Sequence, residues 1–252
     1  MNIDHPTPKH ISGLKSLWKE AFGDSDEFIN AFFDTAFSPD RCFAVAEGKD
    51  VYSALYVLDC SLEKRKIAYI YAVATSKVQR GNGLCKRLMR YAHERLKAAG
   101  YEGAVLVPGE KSLFDFYGSL GYITCGYKSR LQCASSGKTV NIKKIGKKEF
   151  AKLRRDLLPR GGIIQENANL DFLEKQAELY SGADFLLVAR IVENRLFGIE
   201  LLGNLERAAD IVCSLGCADG AFMIPGGEIP FAMYLSFGDR GCYPEYFGLA
   251  FD

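Results

Sequence analysis

The sequence predicts a mixed α/β protein built of two related halves, and three observations carry that reading. In the first half, segments of helical period alternate with β-branched and aromatic runs. Their order is helix, helix, hairpin, strand, helix, strand, helix, strand. Near the middle of the 252 residues, the small polar stretch CASSGKT (Cys133 to Thr139) breaks the pattern and reads as a linker. Beyond it the second half echoes the first. GAFMIPGGEIPFAMYLSFG, from Gly220, is similar to GAVLVPGEKSLFDFYGSLG, from Gly103, and FLLVARIVENRLFGIELL, from Phe185, repeats the hairpin pattern that starts at Phe43. The period is far too long for a solenoid, so a duplicated domain is expected. The expected domains are 1–133 and 139–252, each long enough to bury its own core.

The elements follow in order. Ile11, Leu14, Leu17, Trp18 and Phe22 fall at i, i+3, i+4 spacing and predict a helix packed on a core. DSDEFINAFFDTAF opens with acidic capping residues and predicts a second helix. RCFAVAEGKDVYSALYVLD reads as strand, turn and strand, with the turn at Gly48-Lys49-Asp50, and KIAYIYAVATS as a third strand. A long helix follows from about Gly83, with Leu84, Leu88, Tyr91, Ala92, Leu96 and Ala99 on its apolar face and Gly100 as its stop. Gly103 to Pro108 is a short strand, SLFDFYGSLG a short helix, and YITCGYKSRLQ a strand that closes the first domain. In the second half, Lys143, Lys144, Lys147 and Lys148 read as a solvated helix start.

Composition narrows the function classes. Hydrophobic residues make up 48% and charged residues 25%, and the net charge is +1, so no global field draws nucleic acid or an anionic membrane. The start, MNIDHPTPKH, lacks the apolar region of a secretory signal, and no apolar run reaches membrane-spanning length. Eight cysteines without a CxxC pair read as reduced thiols in a cytoplasmic protein. His5, His10 and His93 lie far apart with no Cys at ligand spacing, so no metal site is expected. The chain is read as a monomer or a homo-oligomer.

One stretch resists a purely structural reading: QRGNGLCKRLM, Gln79 to Met89, sets Gly81 and Gly83 just ahead of the long helix. Glycine there is either a tight turn or a place where backbone must approach a ligand. A helix start offers unpaired N–H groups and positive partial charge. Glycines let those groups reach a phosphate with no Cβ in the way, and Arg80 adds a cation. The pattern is neither a Walker loop nor a dinucleotide GxGxxG. The preceding strand ends in Val73-Ala74-Thr75, and the short helix after the next strand carries Phe116-Tyr117-Gly118-Ser119-Leu120-Gly121-Tyr122.

Together these features resemble the Gcn5-related N-acetyltransferase (GNAT) family over about Ile11 to Leu131. The loop Arg80-Gly81-Asn82-Gly83-Leu84-Cys85 matches that family's Gln/Arg-x-x-Gly-x-Gly/Ala pattern except at Cys85, a small residue where the family has Gly or Ala. The linker and the degenerate second half are also similar to tandem-domain acetyltransferases related to the mycobacterial enhanced intracellular survival protein. The resemblance implies an acyl-CoA N-acyltransferase fold with a degenerate second copy. It implies acetyl-CoA as co-substrate and transfer of its acetyl group to a primary amine of a small molecule or peptide. By the same resemblance, Gly81, Asn82, Gly83, Leu84, Cys85 and Lys86 hold the pyrophosphate beside Arg80. Val73, Ala74 and Thr75 pair with the pantetheine arm, and an N–H near Val73 faces the thioester oxygen. Tyr117 is the expected general acid. The base stays open among Glu47, Asp59, Glu63 and, as in the tandem group, the C-terminal carboxylate, here Asp252. A non-catalytic acyl-CoA-binding or sensing module is the alternative, and a scaffold without CoA a third. Asp24, Asp26, Glu27 and Asp34 read either as helix caps or as a lure for a cationic amine.

Overall fold

The computed structural model describes residues 1–238 and 243–251. The chain divides into two units, one of Met1–Ile123, Asn167–Phe172 and Met233–Gly241, the other of Thr124–Glu166, Leu173–Ala232 and Cys242–Asp252.

The first unit contains β1 (Asn2–Asp4), α1 (Ile11–Phe22), α2 (Asp26–Thr35), β2 (Cys42–Glu47), β3 (Asp50–Leu62), β4 (Arg65–Thr75), α3 (Leu84–Ala98), β5 (Gly103–Leu106) and α4 (Ser112–Gly118). Ser25 caps α2 by accepting from the Phe28 N–H, and Asp26 and Glu27 sit in the first turn, where the helix dipole favours anions. Asp24 accepts the Trp18 indole N–H at 2.7 Å, and Asp26 pairs with Lys19. Two of the four acids weighed as an amine lure therefore have structural partners. β1 to β4 run antiparallel in sequence order. α3 then carries the chain across so that β5 lies parallel to β4, as a βαβ crossover requires. One face of this sheet packs Leu55, Val57, Ala68 and Ile70 against Leu84, Leu88, Met89, Ala92 and Leu96 of α3. The apolar stripe thus includes Met89 and loses Ala99, which falls just past the helix end and is exposed. Phe22 is likewise exposed, because α1 stops at Gly23 in the left-handed conformation. An aromatic cluster of Trp18, Phe32, Tyr56, Tyr71 and Phe172 gives the unit a further packed core.

The second unit draws on β6 (Ile123–Ala134), β7 (Lys143–Lys144), α5 (Lys147–Leu157), β8 (Ile164–Gln165), β9 (Glu178–Ser181), β10 (Phe185–Val192), β11 (Arg195–Gly203), α7 (Ala208–Ser214) and β12 (Asp219–Pro225), while α6 (Ala168–Leu173) up to Phe172 and β13 (Ile229–Ser236) from Met233 belong to the first. β9, β10 and β11 are antiparallel, and α7 crosses to a β12 parallel to β11. These are the strand directions of β2, β3, β4, α3 and β5 again. Phe185, Leu187, Leu196, Leu201, Ile211, Val212 and Phe222 form the core.

The strands beside β5 and β12 depart from the expected order. The strand expected to close the first domain, β6, instead pairs antiparallel with β12, from Ala134 opposite Asp219 to Lys128 opposite Pro225. In the first unit, β5 takes Met233–Ser236 of β13 as its antiparallel neighbour. Local fit accounts for this. Tyr234 lies across Gly103, where any Cβ would overlap the phenol, and Leu131 and Cys133 of β6 pack on the core around Phe222. The stretch Cys133 to Thr139 lies inside the second unit.

The C-terminal segment is tied into the second unit by buried polar groups. Arg154 and Glu200 form a two-pronged ion pair at 2.7 and 2.9 Å, and Tyr246 donates to the same carboxylate at 3.0 Å. Gln165 donates to the Leu249 carbonyl and accepts from its N–H. Gly248 is required beside them, since a Cβ would overlap the Glu200 carboxylate. No helix among the described residues is long and apolar enough to cross a membrane.

Candidate functional site

The site begins with an irregularity in β4. Its register against β3 runs from Tyr71 opposite Tyr56 to Ala74 opposite Ala54, so Ala72 and Val73 together face Leu55. This is a bulge, and Ala72 takes φ of 47° to make it. Pairing of β4 with β5 stops at Tyr69 opposite Val105. From Ile70 to Thr75, β4 has register partners among the described residues on β3 only, and its other edge is open to them. An extended ligand arm can pair with such an edge. The strand end is fixed by Ser53, fully buried, whose hydroxyl lies 2.8 Å from both the Ala74 carbonyl and the Thr75 hydroxyl.

The loop that follows is pinned at its base and open at its tip. Ser76 N–H donates to the Tyr52 carbonyl, and Lys77 N–H to the Glu20 carboxylate at 2.7 Å. Arg80 is extended, and its Nε donates to the Thr75 carbonyl at 3.1 Å. Gly81 and Gly83 have φ of 80° and 71°, and a Cβ on either would meet nothing within 4 Å. Only the backbone angle, not crowding within the chain, therefore calls for glycine here. The Gly83 carbonyl accepts from Arg87 N–H at 3.1 Å, which leaves the N–H groups of Leu84, Cys85 and Lys86 ahead of the first turn's bond. Arg80, Gly81, Asn82, Gly83 and Lys86 are exposed.

Cys85 and Tyr117 face the same core cluster, with Val73 packed against it. Burial pushes the Cys85 thiol up to about 11, against the pull of a hydrogen bond with Thr75, so it stays neutral. Burial also raises Tyr117 well above an ordinary tyrosine, and the neighbouring Cys85 adds to the effect. The Tyr117 ring is buried, edge-on to Phe116 and Tyr122, and its hydroxyl has no hydrogen-bond partner among the described residues. Bulge, loop and phenol are thus gathered at one end of β4.

The hairpin acids sit elsewhere. Glu47 is the exposed last residue of β2, opposite Asp50. Asp59 stands opposite Ala68, ion-paired with Arg41 and hydrogen-bonded by the Tyr101 hydroxyl. Glu63 occupies the β3–β4 turn with φ of 56°, eight to ten strand positions from Val73, or roughly 30 Å at ~3.3 Å per residue. Asp252 lies outside the described residues. Among the described residues, no group of three or more His, Cys, Asp or Glu is placed to hold a metal. Three features have no sequence signal of their own: the Ala72 bulge, the Ser53–Thr75 tie, and a contact between His93 and Tyr122.

Residues 2–125 match the family model of the acetyltransferase (GNAT) domain. Solved structures extend the likeness to nearly the whole chain. A Gcn5-related N-acetyltransferase from Kribbella flavida is 16% identical with a TM-score of 0.71, covering 93% of this chain and 71% of its own. One from Anabaena variabilis is 12% identical with a TM-score of 0.74, covering 92% and 72%. Eis1 from Mycobacterium abscessus is 10% identical with a TM-score of 0.66, covering 88% and 65%. At these identities the likeness shows a shared fold. No curated protein matches the sequence.

Proposed function

We propose that this protein transfers the acetyl group of acetyl-CoA to a primary amine of a small molecule or peptide. The observation that carries the proposal is the open loop with two left-handed glycines at the start of α3, next to a buried phenol whose hydroxyl has no described partner. The residues present suit acetyl-CoA. Gly81 to Lys86 offer backbone N–H groups and Arg80 a cation to the pyrophosphate. The open edge of Val73, Ala74 and Thr75 offers backbone pairing to the pantetheine arm, and the bulge turns an N–H near Val73 toward the thioester oxygen. Bound acetyl-CoA supplies an activated acyl group. Tyr117 holds the proton that the departing thiolate takes up. Residues 139–252 are read as a degenerate GNAT-like domain. Cys42, Cys85, Cys125, Cys133, Cys213 and Cys217 are thiols outside any disulfide, which suits a reducing, cytoplasmic setting.

One observation favours the second reading, a non-catalytic acyl-CoA-binding module: Glu47, Asp59 and Glu63 all stand away from the bulge. Calorimetric titration with acetyl-CoA, followed by an amine screen for CoA release, separates the two. Micromolar binding that is lost on Gly81→Val and Gly83→Val, with CoA released to some amine, is the expected result. Binding without turnover on any amine leaves the module. Absence of binding by the wild type removes both.

A further inference from the structure

We infer that His93 is a positioning residue for Tyr117, acting through the hydroxyl of Tyr122. The inference rests on the reading of Tyr117 as the general acid. With no hydrogen bond to hold its hydroxyl among the described residues, Tyr117 is aimed by packing. Its ring meets Tyr122 edge-on at 5.9 Å and 64°, and its carbonyl accepts from the Tyr122 N–H at 3.2 Å. Tyr122 is therefore both the wall and the backbone anchor of the acid. Tyr122 itself is 2% exposed, and a buried phenol needs a partner. That partner is His93 Nε2, 2.8 Å from the Tyr122 oxygen. Burial pulls His93 down to about 4, so the ring is neutral in ordinary buffers, and in its Nδ1–H tautomer its Nε2 accepts a hydrogen bond from the Tyr122 hydroxyl. Phe237 flanks the imidazole at 5.7 Å and limits its rotation.

His93 belongs to α3, the helix whose first turn follows Gly83. His93 lies nine positions after Leu84, about 14 Å along the helix at ~1.5 Å per residue. One rigid element thus carries the loop's N–H groups at its start and the support of the acid further along. A shift of α3 moves both together. This couples the site that would hold the pyrophosphate to the group that would meet the leaving sulfur.

The test is a double-mutant cycle read in kcat and in KM for acetyl-CoA. Tyr122→Phe keeps the ring and removes the hydroxyl; His93→Leu removes the acceptor; His93→Gln restores a polar group at nearly the same place. Tyr122→Phe and His93→Leu are each expected to lower kcat about five- to tenfold, a coupling usual for contacting residues, with KM changed less than about twofold. His93→Gln recovers most of the loss. In a Tyr117→Phe background neither change lowers kcat further. An equal loss in both backgrounds makes the pair merely structural and overturns the inference, as does wild-type kcat in Tyr122→Phe. Wild-type turnover in Tyr117→Phe alone removes the general-acid reading, and the inference with it. Should His93→Leu fail to fold, the milder Tyr122→Phe still decides.

Discussion

Tyr117 and His93 are held away from their ordinary pKa values in opposite directions by the same cause, burial in the α3 core. A phenol whose pKa is raised keeps its proton to higher pH. Tyr117 should therefore stay a competent acid past pH 9, and the alkaline limb of the rate profile should not fall with an ordinary tyrosine pKa of about 10. Tyr117→Phe is expected to lower kcat at least about tenfold, within the ~10²–10⁴ typical of acid–base groups or just below it. A full pH–rate profile of both proteins checks this, and unchanged turnover takes Tyr117 out of the mechanism. For His93 the consequence is for stability. Its folded pKa of about 4 lies below the ordinary 6.5, so between those values the unfolded chain binds more protons. The contribution is complete above about pH 6.5 and is lost as pH falls toward 4. At ~1.4 kcal/mol per unit, and with the ring not wholly buried, it amounts to about 2–3 kcal/mol. Urea titrations from pH 4 to 7 should give a steeper loss for wild type than for His93→Gln; parallel curves would refute the assignment.

Among the elements, β4 carries the most information for its length. Its bulge places a non-glycine residue, Ala72, at a left-handed φ of 47°, and the register against β3 slips there by one residue. Ala72→Val puts a β-branched side chain in that conformation and should destabilise by about 1–3 kcal/mol. It should also weaken acetyl-CoA binding more than Ala72→Gly, which tolerates the same angle. Thermal melts and calorimetry on the two variants test both halves, and equal affinity would show that the bulge does not shape the pantetheine edge. Nothing in KIAYIYAVATS announces this bulge. Alanine has no preference for positive φ, and a one-residue slip leaves an apolar run apolar. The loop is different: Gly81 and Gly83 were legible because a left-handed backbone selects glycine by type. The long helix was legible from its period, with Met89 and Ala99 misjudged only where the stripe is wide and where the helix ends.

For the whole molecule, the exchange of strands matters most. β5 is completed by Met233–Ser236, and β6 serves β12. A chain cut after Ala134 therefore lacks the outer neighbour of β5 and exposes Leu131 and Cys133. It should bind hydrophobic dye and unfold without a cooperative transition. A sharp two-state melt like that of the full chain would overturn this prediction. The second unit repeats the first unit's strand directions without its loop. Between β11 and α7, Asn204 accepts from the Glu206 N–H, and α7 has only seven residues.

The sequence by itself determined the class of fold, the strand–helix–strand order around α3, the glycine loop and the tyrosine helix. Each of these depends on local chemistry: period, backbone angle, or a residue type at fixed spacing. The tertiary structure decided what no local pattern encodes. It chose the partner of each completing strand through contacts such as Tyr234 across Gly103, residues far apart in the chain. It bulged β4 at an alanine, tied Asp59 to Arg41 and Tyr101, and set His93 against Tyr122. Strand pairing and side-chain contacts of this kind are fixed by packing between distant segments, and a period or a motif carries no record of them.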